Sequence, residues 1–158
     1  MNAVAAPPKQ LEAWVVFLRS HSAVTRQLNV DLLNEHGLTL NDYEVMMLID
    51  RAENGVMRRV DLAESVLLTA SGITRLLDGL EAAGYVEKAH CQSDARVSYA
   101  KLTEPGREKL RAASATHLAG VQEVFTSPYS ESELATLADL LSRLPLTGKA
   151  DCSAKACG

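Results

Sequence analysis

The chain has 158 residues, with 16 Lys and Arg against 20 Asp and Glu, a formal net charge of −4, and a 47% hydrophobic and 23% charged composition. That balance suits a globular protein with one sizeable core and excludes a largely disordered chain or a surface that binds polyanions indiscriminately, while leaving room for a local basic face among acidic helices. No run approaches the roughly 18 apolar residues that span a bilayer, no signal-peptide pattern opens the chain, and Cys91, Cys152 and Cys157 are too few and too scattered for a disulfide framework, so the expected setting is cytoplasmic.

Met1 to Pro8 is rich in Ala and Pro, and Thr147 to Gly158 is small and polar. Residues 1–8 and 147–158 therefore read as flexible tails. Between them the spacing predicts a first helix over Lys9 to His36. Leu11, Trp14, Val15 and Leu18 fall at i, i+3, i+4, i+7, and Val24, Leu28 and Leu32 continue the apolar side until Gly37. A helix of that length needs a partner chain as well as its own domain to cover its stripe.

Thr39 is the expected cap of a second helix, with Asp42 at capping-box spacing. The run from Tyr43 to Ala52 holds Val45, Met46, Met47, Leu48 and Ile49 and reads as a central buried helix. Glu53-Asn54-Gly55 is a turn, Val56–Arg58 a short strand, and Arg59 to Leu67 a short helix with Leu62, Ala63 and Val66 inward. After the connection Leu68-Thr69-Ala70, a helix over Ser71 to Ala83 carries two stripes. Ile73, Leu76, Leu77 and Leu80 are apolar; Ser71, Thr74, Arg75 and Asp78 repeat the spacing on a polar face.

Tyr85–His90 and Val97–Leu102 read as a hairpin with a polar tip. Thr103 caps a long helix, with Pro105 in its first turn, that runs to about Phe125 through Leu110, Ser114, His117, Val121 and Val124. The last helix covers Ser130 to Leu144, with a Ser130/Glu133 capping box and a stripe of Leu134, Leu137, Ala138, Leu141 and Leu144. The fold class is thus mainly α with a small β-hairpin. Residues 38–102 form a winged helix-turn-helix, flanked by helical dimerisation segments at 9–36 and 103–146.

A short helix, a turn, a second helix and a hairpin offer one polar helical face to a major groove. Thr69, Ser71, Thr74 and Arg75 are the candidates on that face. Small hydroxyls near a helix start bond phosphates or base edges, and Arg75 is suited to bidentate contact with guanine. At the hairpin tip, Ser93, Asp94 and Arg96 would reach the adjoining minor groove, where the negative potential draws Arg96 and Asp94 orients its guanidinium. Asp78 is expected to pair with a neighbouring basic side chain rather than to touch DNA.

Trp14 reads as core or dimer packing, with a ligand-pocket wall as the alternative; His21 and Tyr43 are further pocket candidates. His117, on an apolar stripe, reads as a packed interface histidine. His90 and Cys91 point to opposite faces of a strand and make a poor metal pair. No Gly-rich phosphate loop, nucleophile elbow or metal-spaced cluster is present, so no catalytic residue, metal or cofactor is expected.

Several segments resemble the MarR family of winged helix-turn-helix regulators. Leu38 to Tyr43 is similar to the opening of its second helix, and Thr69 to Val86 to its recognition helix and following strand. Ser93-Asp94-Ala95-Arg96, followed by Leu102-Thr103-Glu104-Pro105-Gly106-Arg107, resembles its wing and fifth helix. The resemblance covers about Leu11 to Leu144 and implies a homodimer on a pseudo-palindromic duplex, its recognition helices about 34 Å apart. It also implies a regulator, usually a repressor, released by a small phenolic or anionic effector. The wing has one cation between Cys91 and Ser98, Arg96, fewer than relatives often carry, which implies weak non-specific affinity. The alternative, suggested by the acidic net charge, is a winged-helix module that binds protein.

Overall fold

The computed structural model describes residues 9–66, 68–90 and 98–145. Helix α1 spans Lys9–His36 and α2 spans Leu40–Arg51. A 3-10 turn at Glu53–Gly55 leads into strand β1, Val56–Arg58, and helix α3, Arg59–Ser65. Helix α4 is Ala70–Ala82, followed by β2, Val86–His90, and β3, Ser98–Leu102. Helix α5, Glu104–Val121, and α6, Glu131–Ser142, complete the order.

The capping residues set these boundaries. Thr39 and Asp42 form the expected reciprocal box: the Thr39 N–H donates to Asp42 Oδ2 at 2.8 Å and the Asp42 N–H to Thr39 Oγ1 at 3.1 Å. Ser130 and Glu133 repeat it at α6. Hydrogen bonds from Ser130 hold the Glu133 carboxyl below its usual range.

The central core is where the sequence puts it. Leu32, Val45, Met46, Ile49, Leu62 and Leu77 are fully buried, and Ile73, Leu80, Val86 and Leu102 nearly so. The sheet has order β1-β3-β2, all antiparallel, with Val56 opposite Lys101 and Val86 opposite Leu102. β1 therefore pairs with the far strand of the hairpin and ties the wing to the start of α3.

Three element boundaries need correction. Helix α4 begins at Ala70, because Thr69 is its cap and not a free connector. Helix α3 ends at Ser65, two residues short of Leu67, which lies outside the described residues. Helix α5 keeps α geometry only to Val121. It then widens into a π turn, Gln122–Thr126, closed by the Ser127 N–H on the Gln122 carbonyl at 2.9 Å, one residue before Pro128. Trp14, read as core or dimer packing, lies outside the core of its own chain: it is 55% exposed, and Leu11, Phe17 and Leu18 around it are also uncovered.

Candidate nucleic-acid interface

Helix α4 is held by its apolar side, with Ile73, Leu77 and Leu80 at 2%, 0% and 3% exposure. Ser71, Thr74, Arg75 and Asp78 lie exposed on the other side. A helix cannot rotate about its axis without lifting those three anchors from the core, so its polar face is fixed outward.

The hydroxyls do more local work than spacing suggested. Thr69 Oγ1 accepts the Gly72 N–H at 3.1 Å and stands 3.1 Å from Ser71 Oγ. Thr74 Oγ1 donates to the Ala70 carbonyl at 2.8 Å. In that rotamer Thr74 has only lone pairs left, so it is able to accept from a base amino group but not to donate to a phosphate. Arg75 forms no ion pair or side-chain hydrogen bond among the described residues. It is the cation left uncommitted on this face. Ser93, Asp94 and Arg96 lie outside the described residues, as does Cys91.

The far end of α4 is closed by a Schellman turn. Gly84 has φ +79°, which a side chain would strain; its N–H meets the Glu81 carbonyl at 3.0 Å, and the Tyr85 N–H meets Leu80 at 2.9 Å. An ionic cluster that sequence reading missed braces the same end. Arg59 Nη2 donates to Glu81 Oε1 at 2.7 Å and lies 3.9 Å from Asp78, while Lys88 of β2 is 3.3 Å from Glu81. The basic group expected beside Asp78 is Arg59. Nothing local announces the Arg59–Glu81 pair, since the partners are 22 positions apart.

Between α2 and α5 lies a cleft of about 380 Å³ lined by Tyr43, Met47, Asp50, Arg51, Arg107, Leu110, Arg111, Ser114 and Leu118. Tyr43 alone of the three pocket candidates lines it. Its ring packs 4.6 Å from that of His117, and its hydroxyl reaches Ser114 Oγ at 3.4 Å. Burial lowers the His117 pKa, and its Nδ1 is buried without a partner. Trp14 and His21 are exposed instead, on either side of Phe17, whose ring is 6.2 Å from one and 6.4 Å from the other. His21 also acts on Glu44, whose carboxyl burial raises and the imidazole charge lowers.

The cleft cations were not singled out from sequence. Arg107 and Arg111 sit one helical turn apart beside Leu110, Ser114 and Leu118, a spacing that was available. Glu104 lies 3.6 Å from Arg107 and 3.2 Å from Arg111. Among the described residues no group of three or more His, Cys, Asp or Glu is arranged to hold a metal ion. No described helix is long and apolar enough to cross a membrane.

Comparison with known proteins agrees with this geometry. A model of the MarR family matches residues 36–97, which span α2 to the wing. The HTH-type transcriptional regulator MhqR of Bacillus subtilis is 26% identical over 141 residues, 89% of this chain and 94% of its own. The solved structure of Sco3205 from Streptomyces coelicolor, a MarR family regulator in complex with DNA, superposes with a TM-score of 0.80 over 89% of this chain and 88% of its own, at 20% identity. AbsC, a MarR family transcriptional regulator from the same organism, is 31% identical with a TM-score of 0.78, matched over 88% of this chain and 93% of its own. At that identity and coverage, the chain belongs to the MarR family.

Proposed function

We propose that the protein is a homodimeric, sequence-specific DNA-binding transcriptional regulator of the repressor type, whose grip on DNA a small anionic effector relaxes. The outward face of α4 carries the reading: Ser71, Thr74 and an uncommitted Arg75 on a helix locked by its opposite side. Arg75 would contact a guanine in the major groove, Thr69 and Ser71 the flanking phosphates, and Ser93, Asp94 and Arg96 the neighbouring minor groove. The DNA complex of Sco3205, which shares the fold, supports this. A dimer lying across two turns of an operator would repress by excluding the polymerase.

Dimerisation is supported by what single chains leave bare. Trp14 and Leu18 of α1 are 55% and 42% exposed, and α6 buries no residue, leaving Leu140 along it and Leu144 just past its end exposed. Helices α1, α5 and α6 would pair with a second copy, leaving residues 38–102 as the DNA-reading unit.

The α2–α5 cleft suits an amphipathic anion. Met47, Leu110 and Leu118 give it apolar walls, and a ligand carboxylate would compete with Glu104 for Arg107 and Arg111. The protein-binding alternative has no observation of its own in its favour.

Selection of duplexes from a randomised library by the wild-type protein tests the reading. A two-fold symmetric sequence should be enriched, and Arg75→Ala should relax the choice at one base pair in each half-site. Enrichment of no sequence would end it.

A further inference from the structure

The Leu102-Thr103-Glu104-Pro105-Gly106 segment, which the reading above did not place at the DNA, makes some of the closest contacts in the fold. The Thr103 N–H donates to the Tyr85 carbonyl at 3.0 Å, and Thr103 Oγ1 donates to the Gly84 carbonyl at 2.6 Å while accepting the Gly106 N–H at 3.1 Å. Gly106 lies so tightly on the turn that an added Cβ would sit 2.0 Å from the Tyr85 carbonyl oxygen. Lys109 Nζ is 5.7 Å from the centre of the Tyr85 ring. Gly84 and Tyr85 are the two residues whose N–H groups close the C-terminus of α4.

We infer that Thr103 and Gly106 are positioning residues for DNA recognition: they clamp the first turn of α5 to the end of α4 and so set the angle at which α4 meets the duplex. The inference rests on the DNA-binding reading above. Arg75 lies seven residues before Ala82, the last residue of α4, about 10 Å along the helix, so a tilt of about 10° at the clamp would move it by about 2 Å, enough to break a hydrogen bond. Arg107, the next residue after Gly106, lines the α2–α5 cleft. One helical turn thus carries both the clamp and a cation of the cleft, and a shift of α5 there is delivered to α4 without slack.

The test separates the clamp from helix capping. Thr103→Ser keeps both the cap and the hydroxyl donor. Thr103→Asp keeps a good cap for Gly106 but, as a carboxylate, has no proton for the Gly84 carbonyl. Gly106→Ala attacks the same contact from the other side and adds no charge. Fluorescence anisotropy measures affinity for the duplex enriched by the wild-type protein and for a scrambled duplex of equal composition. Folding and dimer mass are checked by circular dichroism and light scattering.

Thr103→Ser should keep the wild-type ratio of the two affinities, and Thr103→Asp and Gly106→Ala should lower it about tenfold. An added negative charge by itself weakens both affinities alike and leaves the ratio unmoved. Either folded variant with a wild-type ratio overturns the inference and leaves the DNA-binding reading standing. A wild-type protein that enriches no duplex removes that reading and the inference with it.

Discussion

Replacing Arg59 by Met tests whether the ionic cluster under α4 holds the recognition helix to α3. The pair it breaks is short, 2.7 Å between Arg59 Nη2 and Glu81 Oε1, with side chains 19% and 21% exposed. Two charges about 4 Å apart attract by about 4 kcal/mol at an effective dielectric near 20. Desolvation of both ions takes back much of that. Lys88 still faces Glu81 at 3.3 Å, and the unpartnered Arg59 Nε, a cost the native protein carries, disappears with the substitution. The expected net loss is about 1 kcal/mol, and Met keeps most of the aliphatic packing. For a chain of this size that lowers Tm by about 2–4 °C. Urea unfolding at fixed protein concentration should give this loss for Arg59→Met and about 2 kcal/mol for Glu81→Gln, which takes the carboxylate from both Arg59 and Lys88. The double variant should show a coupling of about 1 kcal/mol. Additive losses within about 0.3 kcal/mol would refute the brace.

Arg75→Ala should weaken binding to the selected duplex by about 1–3 kcal/mol while barely changing affinity for scrambled DNA, as read by anisotropy at one salt concentration. Equal loss on both duplexes would make Arg75 a phosphate contact. His117 has a folded pKa below its unfolded value, so its neutral form is the stabilised one. That contribution is complete above the ordinary histidine range and is lost as the pH falls through the lowered value, so stability should drop as the pH falls below about 6.5. His117→Gln should flatten this part of the Tm profile; an unchanged slope would place the acid sensitivity elsewhere. Benzoate, used as a simple aromatic anion, should weaken operator binding. Arg111→Gln should raise the benzoate concentration needed, and equal sensitivity of the two proteins would exclude the α2–α5 cleft as its site.

What could be read in the sequence was local in origin. Period-3.6 stripes gave α1, α4 and α6 because each buries a face in its own core or leaves one for a partner, and a run apolar nearly all round gave the buried α2. The Thr39/Asp42 and Ser130/Glu133 boxes placed two helix starts, since both partners lie within one turn. What the sequence left open was non-local or depended on rotamer. Spacing marks Thr69 and Thr74 as candidate DNA contacts but does not show that their oxygens also bond the backbone of their own helix. Trp14 lies on a sound apolar stripe, but periodicity does not say which chain covers it. The Arg59–Glu81 brace and the Tyr43–His117 stack join residues brought together only by the tertiary fold. The Thr103 to Gly106 motif was visible as a resemblance. Its physical reason, a backbone contact too close for any Cβ, appears only in three dimensions.

Methylation protection of guanine N7 on the selected duplex addresses the outward face of α4 most directly. With wild-type protein, two patches of major-groove protection should appear about one helical turn, some 34 Å, apart, and Arg75→Ala should erase one guanine from each. A single patch, or a pattern that Arg75→Ala leaves intact, would contradict the account.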